Sequence, residues 1–448
     1  MAEPYLTYRK VGEDIINIHG APGVKYYALL ALMAGLLGMG AFCWGWMIHI
    51  GLGLSGLTYP TCWAVFITNF VFWVGIAHSG TLISAILYLF RARWRTGVFR
   101  SAEAMTVFAV MTAGLFPLIH LGRPWYCYWL FPYPNQRILW PNFRSPLIWD
   151  VFAVSTYMTV SMMFLYMGMI PDIAALRDMR KGGDFKSLIL KRFYGVLSLG
   201  WQGTDRQWSN FGAAYLLFAA LATPLVVSVH SVVSWDFAMS IVPGWHSTIF
   251  APYFVAGAIH SGLAMVILIL VPVRKIYSLE DYITDHDIEN LAKVMLVTGL
   301  IMLYSYATEE FIAWYSDNPY ERAIFAYRAT GEYRSLFWMM ILFNSIVPLA
   351  LFWKRVRTSI PWLMAISLLI NVGMWAERFV IIVTSLAHEY NPSSWHVYSP
   401  KWVEIGITAG SFGWFFFWFL LFIKIFPPVA IAEVREAIEK ESVTEAGS

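Results

Sequence analysis

Charged residues are scarce in this chain. Only 13% of its 448 residues are Asp, Glu, Lys or Arg, whereas 58% are hydrophobic. A soluble globule of this length needs more polar surface than this composition supplies. The sequence therefore predicts an integral membrane protein, and its small net charge of +3 gives no indication of nucleic-acid binding.

Cysteine is rare as well. The three cysteines, Cys43, Cys62 and Cys127, are dispersed and show no Cys-x-x-Cys spacing. Such spacing is typical of zinc sites and iron–sulfur clusters. The cysteines therefore offer no ligand set for zinc or for an iron–sulfur cluster, so that a metal redox centre of that kind would belong to a partner subunit.

Long apolar runs, in contrast, are abundant. A bilayer core of about 30 Å needs roughly 20 apolar residues per helix, and residues 1–25 lack the apolar centre of a secretory signal, so the first run is expected to be retained. The fold class predicted is an all-α membrane protein with ten spans. They cover residues 27–52, 62–90, 102–120, 147–170, 211–233, 249–273, 291–314, 336–353, 361–387 and 403–426.

The distribution of Lys and Arg predicts the orientation of these spans. Both residues concentrate in the N-terminal segment, in the even-numbered connections and in the C-terminal tail, for example in the loop at residues 91–100. Because cytoplasmic loops carry the excess of positive charge, both termini are expected in the cytoplasm. The other loops are rich in Trp, Tyr and Pro, which favours docking of a partner on the outer face.

A short motif, Gly-x-x-His-Ser-Gly, occurs at residues 75–80 and again at residues 257–262, in the second and sixth spans. A separation of four spans preserves orientation, so the sequence predicts a parallel duplication with two four-helix bundles, spans two to five and six to nine. The predicted units are residues 1–26 (cytoplasmic), 27–58 (peripheral helix), 59–240 (first bundle), 241–390 (second bundle), 391–426 (outer loop and peripheral helix) and 427–448 (cytoplasmic tail).

Three acidic or imidazole side chains are predicted at one depth of the first bundle. His120 ends the third span, Asp150 lies one turn inside the fourth, and Asp236 follows the fifth. An imidazole and carboxylates at the rim of an apolar pocket are the groups that oxidation of a quinol needs to accept two protons. Arg123 is close enough in sequence to hold Asp150 ionised.

Each of these residues also has a possible structural role. His120 fits an interfacial or capping residue, and Asp150 fits a partner for the free amides at the start of a helix. Asp236 falls in a predicted loop, where a solvated carboxylate is expected. Their convergence at one depth is more informative than any one of them.

The two motif histidines, His78 and His260, have three possible roles. Each could form a hydrogen bond between helices, each could contact a ligand, or the pair could hold a single haem. In the second bundle, Glu377 and Arg378 are expected to pair because ionised groups at membrane depth usually do so. A proton relay through Glu309, Glu310, Tyr304, His260 and the Glu377–Arg378 pair is the functional alternative.

The residues described above resemble those of a known family, the polytopic membrane subunits of the polysulfide reductase and NrfD type. Within it they are most similar to the ActC-type quinol-binding subunit of bacterial alternative complex III. The resemblance covers nearly the whole chain and depends on residues 76–81, 116–125 and 145–150. It implies a multi-pass protein of the bacterial inner membrane that binds no metal and no cofactor of its own and oxidises a quinol, expected to be menaquinol.

The resemblance also implies site residues and partners. His120 and Asp150 would line the quinol site as its catalytic residues, with Asp236, Arg123 and His78 beside them. An iron–sulfur subunit would dock on the outer face, together with haem c subunits and a homologous membrane subunit, and protons would be translocated. A secondary transporter, and a structural anchor or sister subunit without a quinol site, are the alternatives.

Overall fold

The structure, a computed structural model, describes residues 23–131, 142–179 and 185–434. Those ranges contain helices and no β-strand, and ten of the helices are long and apolar enough to cross a membrane. The predicted all-α fold with ten spans is thereby confirmed. In chain order the helices are α1 Val24–Ile50, α2 Val65–Leu89, α3 Phe99–His120, α4 Pro146–Met179, α5 Phe185–Leu197, α6 Asp205–Ala238, α7 Phe250–Ile276, α8 Asp285–Tyr315, α9 Pro319–Thr330, α10 Arg334–Phe352, α11 Ile360–Ala387 and α12 Trp402–Ile425.

Hydropathy located the spans to within a few residues, with three informative exceptions. Helix α4 continues nine residues beyond its predicted end at residue 170, α6 extends past both ends of residues 211–233, and α8 begins six residues before its predicted start at residue 291. The extra turns carry charged or polar residues, which a hydropathy window discards. The two helices that are not spans, α5 and α9, were not predicted.

The spans pack in two closed sets of four. In the first, α2 contacts α3, α3 contacts α4, α4 contacts α6 and α6 contacts α2; in the second, α7, α8, α10 and α11 contact one another in the same cyclic order. We call these sets the first and second bundles. The residue boundaries predicted for the units stay a prediction, and much of residues 1–26 and 427–448 lies outside the described residues.

The repeated motif lies where the two bundles meet, because α2 and α7 pack along each other. A Cβ atom added to Gly262 would collide with the side chain of Ser79 and lie 2.8 Å from the carbonyl oxygen of Ile76. Gly80 fits in the same way against the backbone of Ala102 on α3. The motif glycines are therefore packing residues that let helix backbones approach closely.

Helices α1 and α12 pack against each other outside the bundles through small residues. A Cβ atom on Gly40 would lie 2.6 Å from the Cα atom of Gly410, and Gly406 faces Cys43. Close backbone contact of this kind is how membrane helices associate when apolar burial provides no driving force.

We expect Gly40→Leu to destabilise the chain by about 1–3 kcal/mol, because the added side chain has no space between the α1 and α12 backbones. Unfolding experiments in detergent measure the free energy of unfolding of each variant. Gly35→Leu on the same helix is the matched control, since nothing lies within 4 Å of a Cβ atom added there. Equal stability of the two variants would contradict the α1–α12 packing.

Candidate functional site

A pair of carboxyl groups lies at one end of the first bundle, where α3 ends and α4 begins; we call this the His120 end and the opposite one the Arg100 end. The carboxyl group of Asp150 on α4 is within hydrogen-bonding distance of that of Asp236 on α6. Asp150 is only 8% exposed. Two carboxyl groups can hydrogen-bond only if one carries a proton, because an ionised carboxylate is purely an acceptor. The pair is therefore built to share and exchange a proton.

Neighbouring residues fix the position of the carboxyl pair. Pro146 begins α4, where its missing N–H costs no hydrogen bond. The indole rings of Trp149 and Trp235, each preceding one of the two aspartates, pack edge to face with centroids 6.1 Å apart. This contact holds the ends of α4 and α6 together. Within the described residues, Oδ1 of each aspartate has no hydrogen-bond partner, which leaves one oxygen of each carboxyl group for a ligand.

Two expectations about this region were wrong. Asp236 does not lie in a solvated loop, because α6 continues to Ala238 and carries Asp236 against Asp150. Arg123 does not hold Asp150 ionised, since it is exposed, and no ion pair of the described ranges joins the two residues. The partner of Asp150 is a second acid instead of a cation.

His120 lies at the same end as the carboxyl pair. Gly122, in the left-handed conformation with φ of 70°, lies two residues beyond the last residue of α3 and ends the helix there. The imidazole is partly buried, and its Nδ1 atom has no hydrogen-bond partner in the described part of the chain. No hydrogen bond in that part joins His120 to Asp150, so the structure brings them to one end without direct contact.

A second polar group lies deeper in the first bundle. The ring of His78 stacks on Tyr157 with centroids 4.9 Å apart and lies 4.6 Å from the ring of His230. Its Nδ1 atom is bonded to the carbonyl of Val74 on its own helix, so the expected hydrogen bond between helices is absent on that side. His230 lies near the end of a predicted span and belongs to no sequence motif. Its role depends on tertiary packing, which a single sequence does not show.

His260, the counterpart of His78, faces the second bundle. Its Nδ1 atom lies 2.9 Å from the hydroxyl oxygen of Thr298 on α8, which agrees with the hydrogen bond between helices considered for it. Gly299 packs beside the same ring. Since His78 faces α4 and α6 whereas His260 faces α8, the two imidazoles do not face each other, and the geometry disfavours a single haem between them.

The second bundle holds a buried ion pair. Nη1 of Arg378 lies 2.8 Å from Oε1 of Glu377, and both residues are buried on α11, so the expected pairing is observed. The hydroxyl of Tyr306 and the amide of Asn344 donate to the same carboxylate. Tyr304 is not part of this group, because it is 66% exposed on α8. The tyrosine that belongs to the network is two residues further along.

Glu309 and Glu310 line a small, partly open cavity close to this ion pair. Arg328, which α9 inserts into the bundle, lies 3.2 Å from the carboxylate of Glu309 and also donates to the carbonyl oxygen of Gly244. Tyr306 forms another part of the cavity wall. The cavity therefore connects the two acidic positions of α8 with the Glu377 network.

One buried charged network was missed by the sequence reasoning. At the Arg100 end of the first bundle, Arg100 binds Glu103 at 3.3 Å and Asp172 at 3.0 Å, and Tyr215 donates to Glu103. Arg100 was counted as a loop cation, although α3 begins before it. Glu103 lay inside a predicted span, and an acid in such a position is itself the signal for a buried partner.

The segment after α12 closes this network. Ser101 donates to the carbonyl oxygen of Pro428, and the amide of Ala432 donates to Asp172. Glu433 lies 2.6 Å from Arg95, and burial raises the pKa of the Glu433 carboxyl group. The predicted cytoplasmic tail is thus folded against the first bundle as far as residue 434.

Metal-ligand geometry is not found in the parts of the chain described. No group of three or more His, Cys, Asp or Glu residues there is arranged to hold a metal ion, and the three cysteines lie apart as free thiols. The absence of a metal or cofactor of its own stays a prediction for the whole chain.

These features define a class: a multi-pass membrane protein of two helical bundles with buried acids and imidazoles inside each. The family model described as polysulphide reductase, NrfD, matches residues 53–388. The chain belongs to this family, as the sequence motifs predicted.

Three similar proteins have names that are consistent with membership of this family. A putative dimethyl sulfoxide reductase membrane subunit of Halobacterium salinarum is 29% identical over 272 residues, which are 60% of this chain and 55% of that protein. An Hdr-like menaquinol oxidoreductase integral membrane subunit of Archaeoglobus fulgidus is 21% identical over 93% of this chain and 97% of its own length. A selenate reductase subunit of Mesobacillus selenatarsenatis is 23% identical, covering 84% and 88%. All three are named as subunits, and two of them as membrane subunits.

Proposed function

We propose that this chain is the quinol-binding membrane subunit of a multisubunit oxidoreductase and that quinol is oxidised at the His120 end of the first bundle. The observation that carries the proposal is that the carboxyl groups of Asp150 and Asp236 lie within hydrogen-bonding distance of each other, while one oxygen of each acid has no partner among the described residues. The name of the Archaeoglobus relative, a menaquinol oxidoreductase subunit, supports the same substrate.

The carboxyl pair suits the chemistry of a quinol. Oxidation to the quinone breaks two phenolic O–H bonds and releases two protons and two electrons. Asp150 accepts the first proton, and His120, whose Nδ1 atom lacks a partner in the ranges described, accepts the second. The electrons leave to a partner subunit, for which iron–sulfur clusters are the class of acceptor that the family resemblance implies.

The finer assignment is an ActC-type subunit of a bacterial alternative complex III. It is supported by the sequence motif that ends α3 at His120 and by the start of α4 before Asp150. The excess of Lys and Arg in the alternate loops supports cytoplasmic termini and an extracytoplasmic His120 end in the bacterial inner membrane. An iron–sulfur subunit would then dock at that end, with haem c subunits and a homologous membrane subunit in the same complex.

Binding of a quinol analogue to the purified chain tests the site directly. We expect saturable binding by the native protein and roughly tenfold weaker binding by His120→Ala, because the imidazole supplies one hydrogen bond to the headgroup, worth about 1.5 kcal/mol. His49→Ala is the matched control, since His49 is exposed on the peripheral helix α1. No saturable binding would favour a structural anchor, and ion or solute flux in liposomes would favour a transporter.

Proton translocation through the second bundle is a second proposal. It is favoured by the continuity of the Tyr306–Glu377–Arg378 network with the cavity at Glu309 and Glu310. We expect Glu377→Gln to lower the number of protons moved per electron in reconstituted complex by about half or more, while quinol oxidation continues. The reason is that the amide oxygen can still accept from Tyr306 and Asn344, whereas the amide group cannot carry the proton.

The comparison variant for this measurement is Glu389→Gln, at an outer loop position where the carboxylate accepts from Tyr59 near the surface. It should leave the ratio of protons to electrons unchanged. A Glu377→Gln complex with the native ratio would remove the second bundle from any proton route.

A further inference from the structure

The two bundles present buried polar side chains to each other across α7. His230 of the first bundle and Arg378 of the second both contact the ring of Phe254. The ring centroids of His230 and Phe254 are 5.9 Å apart, and Cζ of Arg378 lies 4.3 Å from the Phe254 centroid. Arg378 is also among the charged groups that act on His230. The imidazole and the guanidinium therefore lie against the same aromatic ring although they belong to different bundles.

His230 and Arg378 each have hydrogen-bonding atoms without a partner among the described residues, and the two groups complement each other as acceptor and donor. Within the described residues, neither nitrogen of the His230 ring has a hydrogen-bond partner, and neither has Nη2 of Arg378. Both side chains are almost completely buried. Buried polar atoms are rarely left without a partner. A guanidinium can only donate, whereas a neutral imidazole has one nitrogen that accepts.

We propose that an ordered water molecule bound between His230 and Arg378 joins the polar groups of the two bundles. Its oxygen accepts a hydrogen bond from Nη2 of Arg378, and one of its protons is donated to His230. Buried waters typically make two to four such bonds to otherwise unpaired groups. Phe254 forms an apolar wall of this site.

The bridge connects two networks that no hydrogen bond among the described residues joins. On one side, His230 lies against His78, which stacks on Tyr157. On the other side, Arg378 is paired with Glu377. In a site of low dielectric, a charge that appears on one side is felt strongly on the other. A proton gained by the first bundle therefore changes the field at Glu377 without any proton having to cross the interface.

The inference rests on the proposed quinol oxidation in the first bundle, and infrared difference spectra of the assembled complex test it. Spectra recorded between the states before and after quinol oxidation should contain carboxyl changes from Asp150 and from Glu377. The change that disappears in Asp150→Asn is assigned to Asp150, and the change that disappears in Glu377→Gln is assigned to Glu377. His230→Phe should remove the Glu377 change and keep that of Asp150, whereas His230→Gln, which can still bond the water, should keep both.

His49→Phe, the same substitution on the peripheral helix, is the control and should leave both changes intact. A Glu377 change that survives in His230→Phe overturns the bridge. If the native complex lacks the Asp150 change, the proposed function fails, and the bridge is then decided by an experimental density map. A water within hydrogen-bonding distance of both side chains would support it, and a direct or dry contact would overturn it.

Discussion

We expect Asp150→Asn to lower the quinol-dependent turnover of the assembled complex by about 10²- to 10⁴-fold, the range expected when a positioned proton acceptor is lost. The substitution keeps the size of the side chain and lets the new amide donate to Asp236, so the packing of α4 on α6 is preserved. What it removes is the ability to accept a phenolic proton. Steady-state assays with a soluble quinol analogue measure the effect.

A matched variant lies on the same helix. Asp178, near the Arg100 end of α4, forms an exposed ion pair with Arg177, and Asp178→Asn should retain native turnover because surface pairs contribute little. Turnover of Asp150→Asn within a factor of about three of the native complex, far below the loss expected for a proton acceptor, would refute the catalytic assignment. Loss of analogue binding together with turnover would instead place Asp150 in substrate binding.

The spans were predictable because hydropathy is a sum over many residues and tolerates individual errors. The long apolar runs of α2 and α7 gave both helices, and the repeated motif indicated that these two helices are equivalent. The close approach of their backbones, with Gly262 against Ser79, required only that glycine be read as a packing residue.

The candidate site was predictable in part. His120 and Asp150 were placed at one end because helix direction alternates along the chain. Asp236 was predicted at the same depth as Asp150. Its direct contact with Asp150 from α6 was not foreseen, because a hydropathy window ended the fifth span at residue 233 and left Asp236 in a loop. Arg123 was chosen as a partner for its sequence position, although α3 ends in a way that leaves it exposed.

The deeper polar groups depend on side chains that meet only in three dimensions. His78 was noticed because it belongs to a repeat, whereas His230 has no local pattern that distinguishes it from a residue at the end of a span. Tyr304 and Tyr306 are two positions apart on one helix, and the sequence does not say which of them faces the bundle. In the structure it is Tyr306 that faces the bundle, where its hydroxyl group donates to Glu377 on α11.

The same limitation hid the charged network at the Arg100 end, for which the second large effect is expected. Arg100→Met should lower the free energy of unfolding by about 3–5 kcal/mol, because it leaves two buried acids without their shared cation. Arg100 is 1% exposed, and it binds Glu103, Asp172 and the carbonyl oxygen of Gly168. Unfolding by denaturant in detergent, followed by circular dichroism, measures the loss.

Arg322→Met is the matched control, since Arg322 and Asp317 form a pair with both side chains more than half exposed. Its cost should stay below about 1 kcal/mol. Adding Glu103→Gln and Asp172→Asn to Arg100→Met should recover most of the stability, because the cost arises from the two unpaired carboxylates and not from the missing guanidinium itself. A triple variant as unstable as the single one would show that Arg100 acts mainly through its contacts with backbone carbonyls. An Arg100→Met protein as stable as Arg322→Met would mean that the two acids are held neutral, and the network would then be a proton store instead of a structural ion cluster.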